Sequence, residues 1–218
     1  SEPPEPEFEH VFNLFKDRLE RIPGKLFTQE AIHPSTIHQG QLPSCGFLST
    51  LISYAETRPE MVKTMIKETK DGKLVVKFPG DDNPIVINPP TDSEKAYLAG
   101  SSEGTWLTSL DKAWNERLQR KEHPHRRRVL PLSSNVTDPE EAIGALSDLF
   151  GRRIKVANAP TTVQPESSDY VREIGEALDD HQMLTALVSK GGSHLKGLKD
   201  DHWYAVTGLS KDGESIQL

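Results

Sequence analysis

The order of its patterned segments predicts an α+β fold of two lobes. Amphipathic helical patterns dominate this 218-residue chain up to about residue 150, and short strand patterns dominate after it. Such segregation, rather than strict alternation, marks α+β architectures. Two strings add chemistry to the outline. The single cysteine, Cys45, opens an apolar helical pattern in Gln39-Gly-Gln-Leu-Pro-Ser-Cys-Gly-Phe-Leu48, and His202 opens a strand pattern in His-Trp-Tyr-Ala-Val-Thr-Gly208. A thiol would sit on the helical lobe and an imidazole on the β-rich lobe.

The individual elements follow from periodicity and punctuation. Residues 1–7 have the Pro and Glu content of a disordered leader. Phe8, Val11, Phe12, Phe15, Leu19 and Ile22 then recur as one helical face, stopped by Pro23-Gly24. The stretch to Ser44 has no period and reads as loop. Ser44 is placed as the N-cap of a helix with Phe47, Leu48, Leu51, Ile52 and Ala55 on its apolar face. Arg58-Pro59 breaks it. Met61, Val62, Met65 and Ile66 suggest a second short helix, and an Asp71-Gly72 turn leads into a strand from Leu74 to Phe78, with a partner at Ile85 to Ile87. Trp106, Leu107, Leu110, Ala113, Trp114 and Leu118 form an amphipathic helix entered through Gly104-Thr105, its aromatic stripe directed to the core.

Asp138-Pro139-Glu140-Glu141 combines an N-cap, a proline in the first turn and acidic residues behind it, and Gly151 closes that helix. A strand around Ile154 to Val156, a loop and a helix from about Asp169 to Asp179 come next. Strands at Leu184 to Ser189 and His202 to Leu209 and an Asp212-Gly213 turn into Glu214 to Leu218 complete the pattern. The predicted organisation is a leader over 1–25, a helical lobe over 26–151 and a β-rich lobe over 152–218 that is incomplete at its C-terminal end.

Composition narrows the function classes. A hydrophobic content of 34%, a charged content of 27% and a mean hydropathy of -0.58 describe a globular chain with no membrane span. The net charge of -7 argues against nucleic acid as a partner, and the basic run His123-Pro-His-Arg-Arg-Arg128 reads as a solvated loop. One cysteine allows no internal disulfide, which predicts a cytoplasmic location and leaves the thiol free. The chain begins at Ser1, as expected of a processed or excised piece of a longer protein with further domains. No cofactor is expected. His123 and His125 with Glu122 lack a second ligand pair for zinc, and Gly191-Gly192-Ser193 lacks the lysine and helix of a phosphate loop.

The thiol has an oxyanion-friendly setting. A helix start favours thiolate over thiol by roughly 0.3–1 kcal/mol when exposed and up to about 2 when partly buried. A histidine must supply the rest, and of the eight histidines His202 is best placed, opening a strand at the edge of the other lobe. Gln39, six residues ahead of Cys45, offers a side-chain amide that could join the Cys45 N–H as oxyanion donor. Gly40 lets the chain turn between them.

These residues resemble the calpain family of papain-like cysteine proteases. Gln39 to Leu48 is similar to the family's Gln-Gly-x-x-Gly-Asp-Cys-Trp-Phe-Leu, and His202 to Gly208 to its Gly-His-Ala-Tyr-Ser-Val-Thr-Gly. Trp106-Leu-Thr-Ser-Leu-Asp-Lys-Ala-Trp114 is similar to its Trp-x-x-Leu-Leu-Glu-Lys-Ala-Tyr. The three motifs, in the family's order, span residues from about 30 to 218. The resemblance implies a papain-like two-lobed endopeptidase acting on protein or peptide substrates through a thioester, with Cys45 as nucleophile, His202 as base and Gln39 as oxyanion donor.

The chain departs from that pattern at defined places. Gly46 stands where the family has Trp, and Ser44 where it has Asp. Thr36 stands where calcium-dependent members carry a calcium-binding Asp, although Asp111 matches its partner Glu, so no calcium dependence is expected. The family's glycine-rich substrate strand is not recognisable in Val129 to Asn135. Its third catalytic residue, an Asn followed by Pro-Trp-Gly, would lie beyond Leu218, so the chain as given is expected to be slow or inactive. Two other functions fit the same residues: a catalytically inactive papain-fold binding module, and a deamidase or acyltransferase using the same thioester.

Overall fold

A short strand, β1 (Ile37–His38), follows a single 3-10 turn at Pro34–Thr36, in the stretch whose sequence lacks any period. The computed structural model describes residues 24–28, 32–122, 139–151, 168–191, 197–211 and 216–218. Residues 1–23 of the leader, the basic run, the strand expected at Ile154 to Val156 and the Asp212-Gly213 turn lie outside the described residues. After β1 come α1 (Cys45–Thr57), α2 (Pro59–Thr64), β2 (Ile66–Glu68), β3 (Leu74–Val76), β4 (Ile85–Ile87), α3 (Asp92–Tyr97), β5 (Gly100–Ser101) and α4 (Trp106–Glu122). Then follow α5 (Pro139–Phe150), α6 (Ser168–Asp179), β6 (Thr185–Val188), β7 (His202–Ala205), β8 (Gly208–Leu209) and β9 (Ile216–Gln217). The fold is α+β, as the segregation of patterns predicts.

Strand pairing is antiparallel throughout the described residues: β1 with β5, β2-β3-β4 as a three-stranded sheet, β6 with β7, and β8 with β9. Ile66 does not continue the helix before it, as its spacing with Val62 predicts. It starts β2 opposite Val76, because a buried pair of β-branched residues across a ladder outweighs helical periodicity over so short a run. The strand expected from His202 to Leu209 is likewise divided. Val206 N–H still donates to Leu184 O at 3.0 Å, but Thr207 N–H donates to Gln217 O at 2.9 Å, so the chain changes partner between these two residues.

α3 is an element that periodicity missed. Its signal is a capping box: the Thr91 hydroxyl accepts from Glu94 N–H at 3.2 Å and the Glu94 carboxylate accepts from Thr91 N–H at 2.9 Å. Lys112 on α4 donates to the same carboxylate at 2.7 Å and ties the two helices together.

The core surrounds α1. Phe47 stacks on Trp114 of α4 with centroids 5.3 Å apart, and both rings meet Phe78 edge-on. About two helical turns further along, Tyr54 packs on Phe150 of α5 at 5.3 Å. All six apolar residues named for the Trp106 helix are buried. Gly151 closes α5 at φ +63°, a left-handed conformation that suits glycine at a helix end. β6 and β7 lie against α1, and their residues are half-buried apart from the buried Ala205. Among the described residues, no helix is long and apolar enough to cross a membrane.

Candidate active site

Cys45 is the first residue of α1, and its half-buried thiol is free. Ser44 occupies the N-cap position, but its hydroxyl makes no capping hydrogen bond; with φ -93° and ψ 19° its backbone lies outside the extended geometry that capping needs. The capping role expected of Ser44 is therefore not filled. Its hydroxyl is buried without a well-formed hydrogen bond and stands close enough to Asp111 to favour that carboxylate's ionised form. Left uncapped by Ser44, the first-turn N–H groups of α1 present the positive end of the helix at the thiol.

The loop ahead of Cys45 is held rigidly. The Gln39 side-chain amide donates to Leu42 O at 2.8 Å, which fixes its plane and leaves its second N–H free of that bond. Gln41 N–H donates to Tyr97 O at 2.8 Å. Gly40 is pressed against the same segment, where a Cβ would lie 2.3 Å from Tyr97 O and 2.4 Å from Leu98 O. Close approach to backbone explains this glycine better than the turn the sequence suggests.

The histidine arrives on the β6-β7 hairpin, which docks on α1 at two points. Leu184 N–H donates to the Ser53 hydroxyl at 2.9 Å, and a Cβ built on Gly46 would meet the Trp203 ring at 3.6 Å. Gly46 to Ser53 covers seven helical steps, about 10 Å. Trp203 to Val206, the residue bonded to Leu184, covers three extended steps, also about 10 Å. The strand therefore runs alongside the helix in the same direction, and His202, one step before Trp203, is level with the helix start that carries Cys45.

His202 is set by its own surroundings. Asp201 before it has φ +50°, a conformation that Asp tolerates better than most residues, and the imidazole meets the Tyr204 ring edge-on at 4.8 Å. The Tyr204 hydroxyl in turn accepts from Lys199 N–H at 2.8 Å. Partial burial, and secondarily the Lys199 charge, hold the His202 pKa below its ordinary value, so the ring is neutral at neutral pH. No hydrogen bond joins His202 to Cys45. The arrangement offers a neutral imidazole on the strand that docks on the thiol-bearing helix, not a preformed thiolate–imidazolium pair.

Thr36 and Asp111 lie in different networks. Thr36 bonds His33 O at 2.8 Å, the Ser101 hydroxyl at 2.9 Å and the Glu103 carboxylate at 3.2 Å. Asp111 accepts from Ala99 N–H at 2.9 Å and from the Asn115 amide at 3.2 Å. His33, itself largely exposed, bonds the buried Glu103 through both its backbone N–H and its ring. Burial alone would raise the Glu103 pKa, but the His33 and Thr36 bonds outweigh it and hold the carboxyl low. Seventy residues separate His33 from Glu103, so no local pattern could have paired them. Among the described residues, no group of three or more His, Cys, Asp or Glu could hold a metal ion.

No protein-family model matches the chain, and no curated protein matches it significantly.

Proposed function

We propose that this chain is a papain-like cysteine endopeptidase core of the calpain-resembling type, with residues 26–151 and 152–218 as its two lobes. The single observation that carries the reading is the docking of Trp203 on Gly46, which brings the neighbours of the thiol and of the imidazole into contact. In the proposed reaction His202 takes the Cys45 proton as sulfur attacks the scissile carbonyl carbon. The carbonyl oxygen becomes an oxyanion and accepts hydrogen bonds from Cys45 N–H and the free N–H of the Gln39 amide. The imidazolium then protonates the departing amine as the C–N bond breaks, leaving a thioester. Water, deprotonated by the same imidazole, attacks the thioester, releases the acid product and restores the thiol.

The test is irreversible labelling by a peptidyl epoxide or vinyl sulfone. Cys45→Ala should abolish labelling, and Gln39→Ala should slow turnover of peptide substrates by roughly 100-fold or more, the loss of one oxyanion donor. A His202→Ala variant labelled as fast as wild type would falsify the pairing. The neutral, unbonded His202 supports a second reading, a binding module that holds peptides in the same cleft. Peptide binding without turnover, in a chain extended past Leu218, would favour that reading.

A further inference from the structure

Asp111 is completely buried on α4, and among the described residues no cation pairs with it. An uncompensated carboxylate inside a core is a cost that an apolar side chain of similar size would avoid. Its hydrogen bonds show what the carboxylate holds. One oxygen accepts from Ala99 N–H at 2.9 Å, the other from the Asn115 amide at 3.2 Å, and the buried Ser44 hydroxyl stands beside it. Asn115 also donates to Asp111 O at 2.8 Å, so the side chain that orients the carboxylate is itself anchored on α4.

Ala99 closes the segment whose carbonyls grip the loop ahead of the nucleophile. Tyr97 O accepts from Gln41 N–H at 2.8 Å, and the Tyr97 and Leu98 carbonyls leave Gly40 no room for a Cβ. Asp111 thus reaches the start of the loop through Ala99, Leu98 and Tyr97, and at the loop's end it lies beside Ser44, the residue before the thiol. Resting on the protease reading above, we infer that Asp111 is the positioning residue of this site, a buried clamp that sets where the Gln39 amide stands relative to Cys45. It acts through backbone and touches no reacting atom. Its two oxygens are held by Ala99 N–H and the Asn115 amide, so it fixes this segment through main chain and α4.

The test compares Asp111→Asn, which keeps an acceptor for Ala99 N–H, with Asp111→Leu, which removes it. The first measurement is inactivation by a peptidyl fluoromethyl ketone, whose carbonyl oxygen turns into an oxyanion on attack. Asp111→Leu should lower the maximal inactivation rate at least tenfold with the half-saturating concentration within about twofold, because the lost donor geometry matters only in the transition state. Asp111→Asn should recover part of that loss. The second measurement is amide exchange at Gln41, which does not touch Asp111; it should accelerate at least tenfold in Asp111→Leu while Val75 in the three-stranded sheet is unchanged. Equal inactivation rates in all three proteins, or Gln41 exchange unaltered in Asp111→Leu, would overturn the proposal. A wild-type protein that the ketone does not inactivate would sink the protease reading alone, since the exchange experiment needs no activity. If Asp111→Leu does not fold, Gln41 exchange and inactivation rate in Asp111→Asn decide the matter, both unchanged being the contrary result.

Discussion

Gly46 and Trp203 form a compensating pair. The small residue follows Cys45 and the indole follows His202. The Trp203 ring fills the space that a side chain at position 46 would take. Gly46→Trp should therefore cost about 1–3 kcal/mol as an overpacked contact, and Trp203→Ala should recover most of that loss when the two are combined. Chemical denaturation of both single variants and the double variant gives the coupling directly; strictly additive effects would refute the pair. Gly40 makes a sharper case, since its neighbours are main-chain carbonyls that cannot rotate away. Gly40→Ala should displace the loop and abolish labelling of Cys45 by peptidyl electrophiles, while small uncharged alkylating agents still reach the thiol.

At the scale of elements, α1 is fixed on several sides before it offers a thiol to solvent. Phe47 lies between Trp114 and Phe78, so Phe47→Ala should destabilise the chain by about 3–5 kcal/mol in urea titration. A loss below about 1 kcal/mol would mean that α1 is not the organising helix. Elements of this kind were legible in the sequence because their side chains repeat at helical spacing: α1, α4 and α6 fall close to their expected bounds, and β4 at Ile85–Ile87 as expected. β2 was not legible as a strand, because what makes Ile66 extended is Val76 across the ladder, not its neighbours in the chain. The site divides along the same line. Cys45, Gln39 and His202 stand out by residue type and spacing, but Asp111, Trp203 and the His33–Glu103 pair gain their roles from tertiary contacts that one-dimensional spacing does not encode.

For the whole molecule, buried and half-buried carboxylates pull stability in opposite directions as pH changes. Glu103 and Asp81, whose hydrogen-bond partners outweigh burial and hold their pKa values low, add stability at neutral pH that is lost on acidification through their folded pKa values. Asp111 behaves in the contrary sense. Burial raises its pKa from 3.8 to about 6, so the folded protein binds a proton more readily than the unfolded chain, and the stability this provides is lost as pH rises from about 4 to about 6. The stability difference between wild type and Asp111→Asn should shift by about 2–3 kcal/mol between pH 4 and pH 7, moving in favour of the variant. Urea titrations at the two pH values measure it, and a pH-independent difference would show that Asp111 does not titrate there.

The indole over Gly46 also makes the hairpin visible to light. Trp106 and Trp114, the other two tryptophans, are locked in the core, whereas Trp203 is half-buried and depends on the helix surface for its cover. Excited in a protein whose core is intact, Trp203 is the fluorophore whose emission responds when β6 and β7 lift from α1. A red shift on separation and a blue shift on peptide occupancy would turn the assembly of the two halves of the site into a spectroscopic signal, without any attached dye.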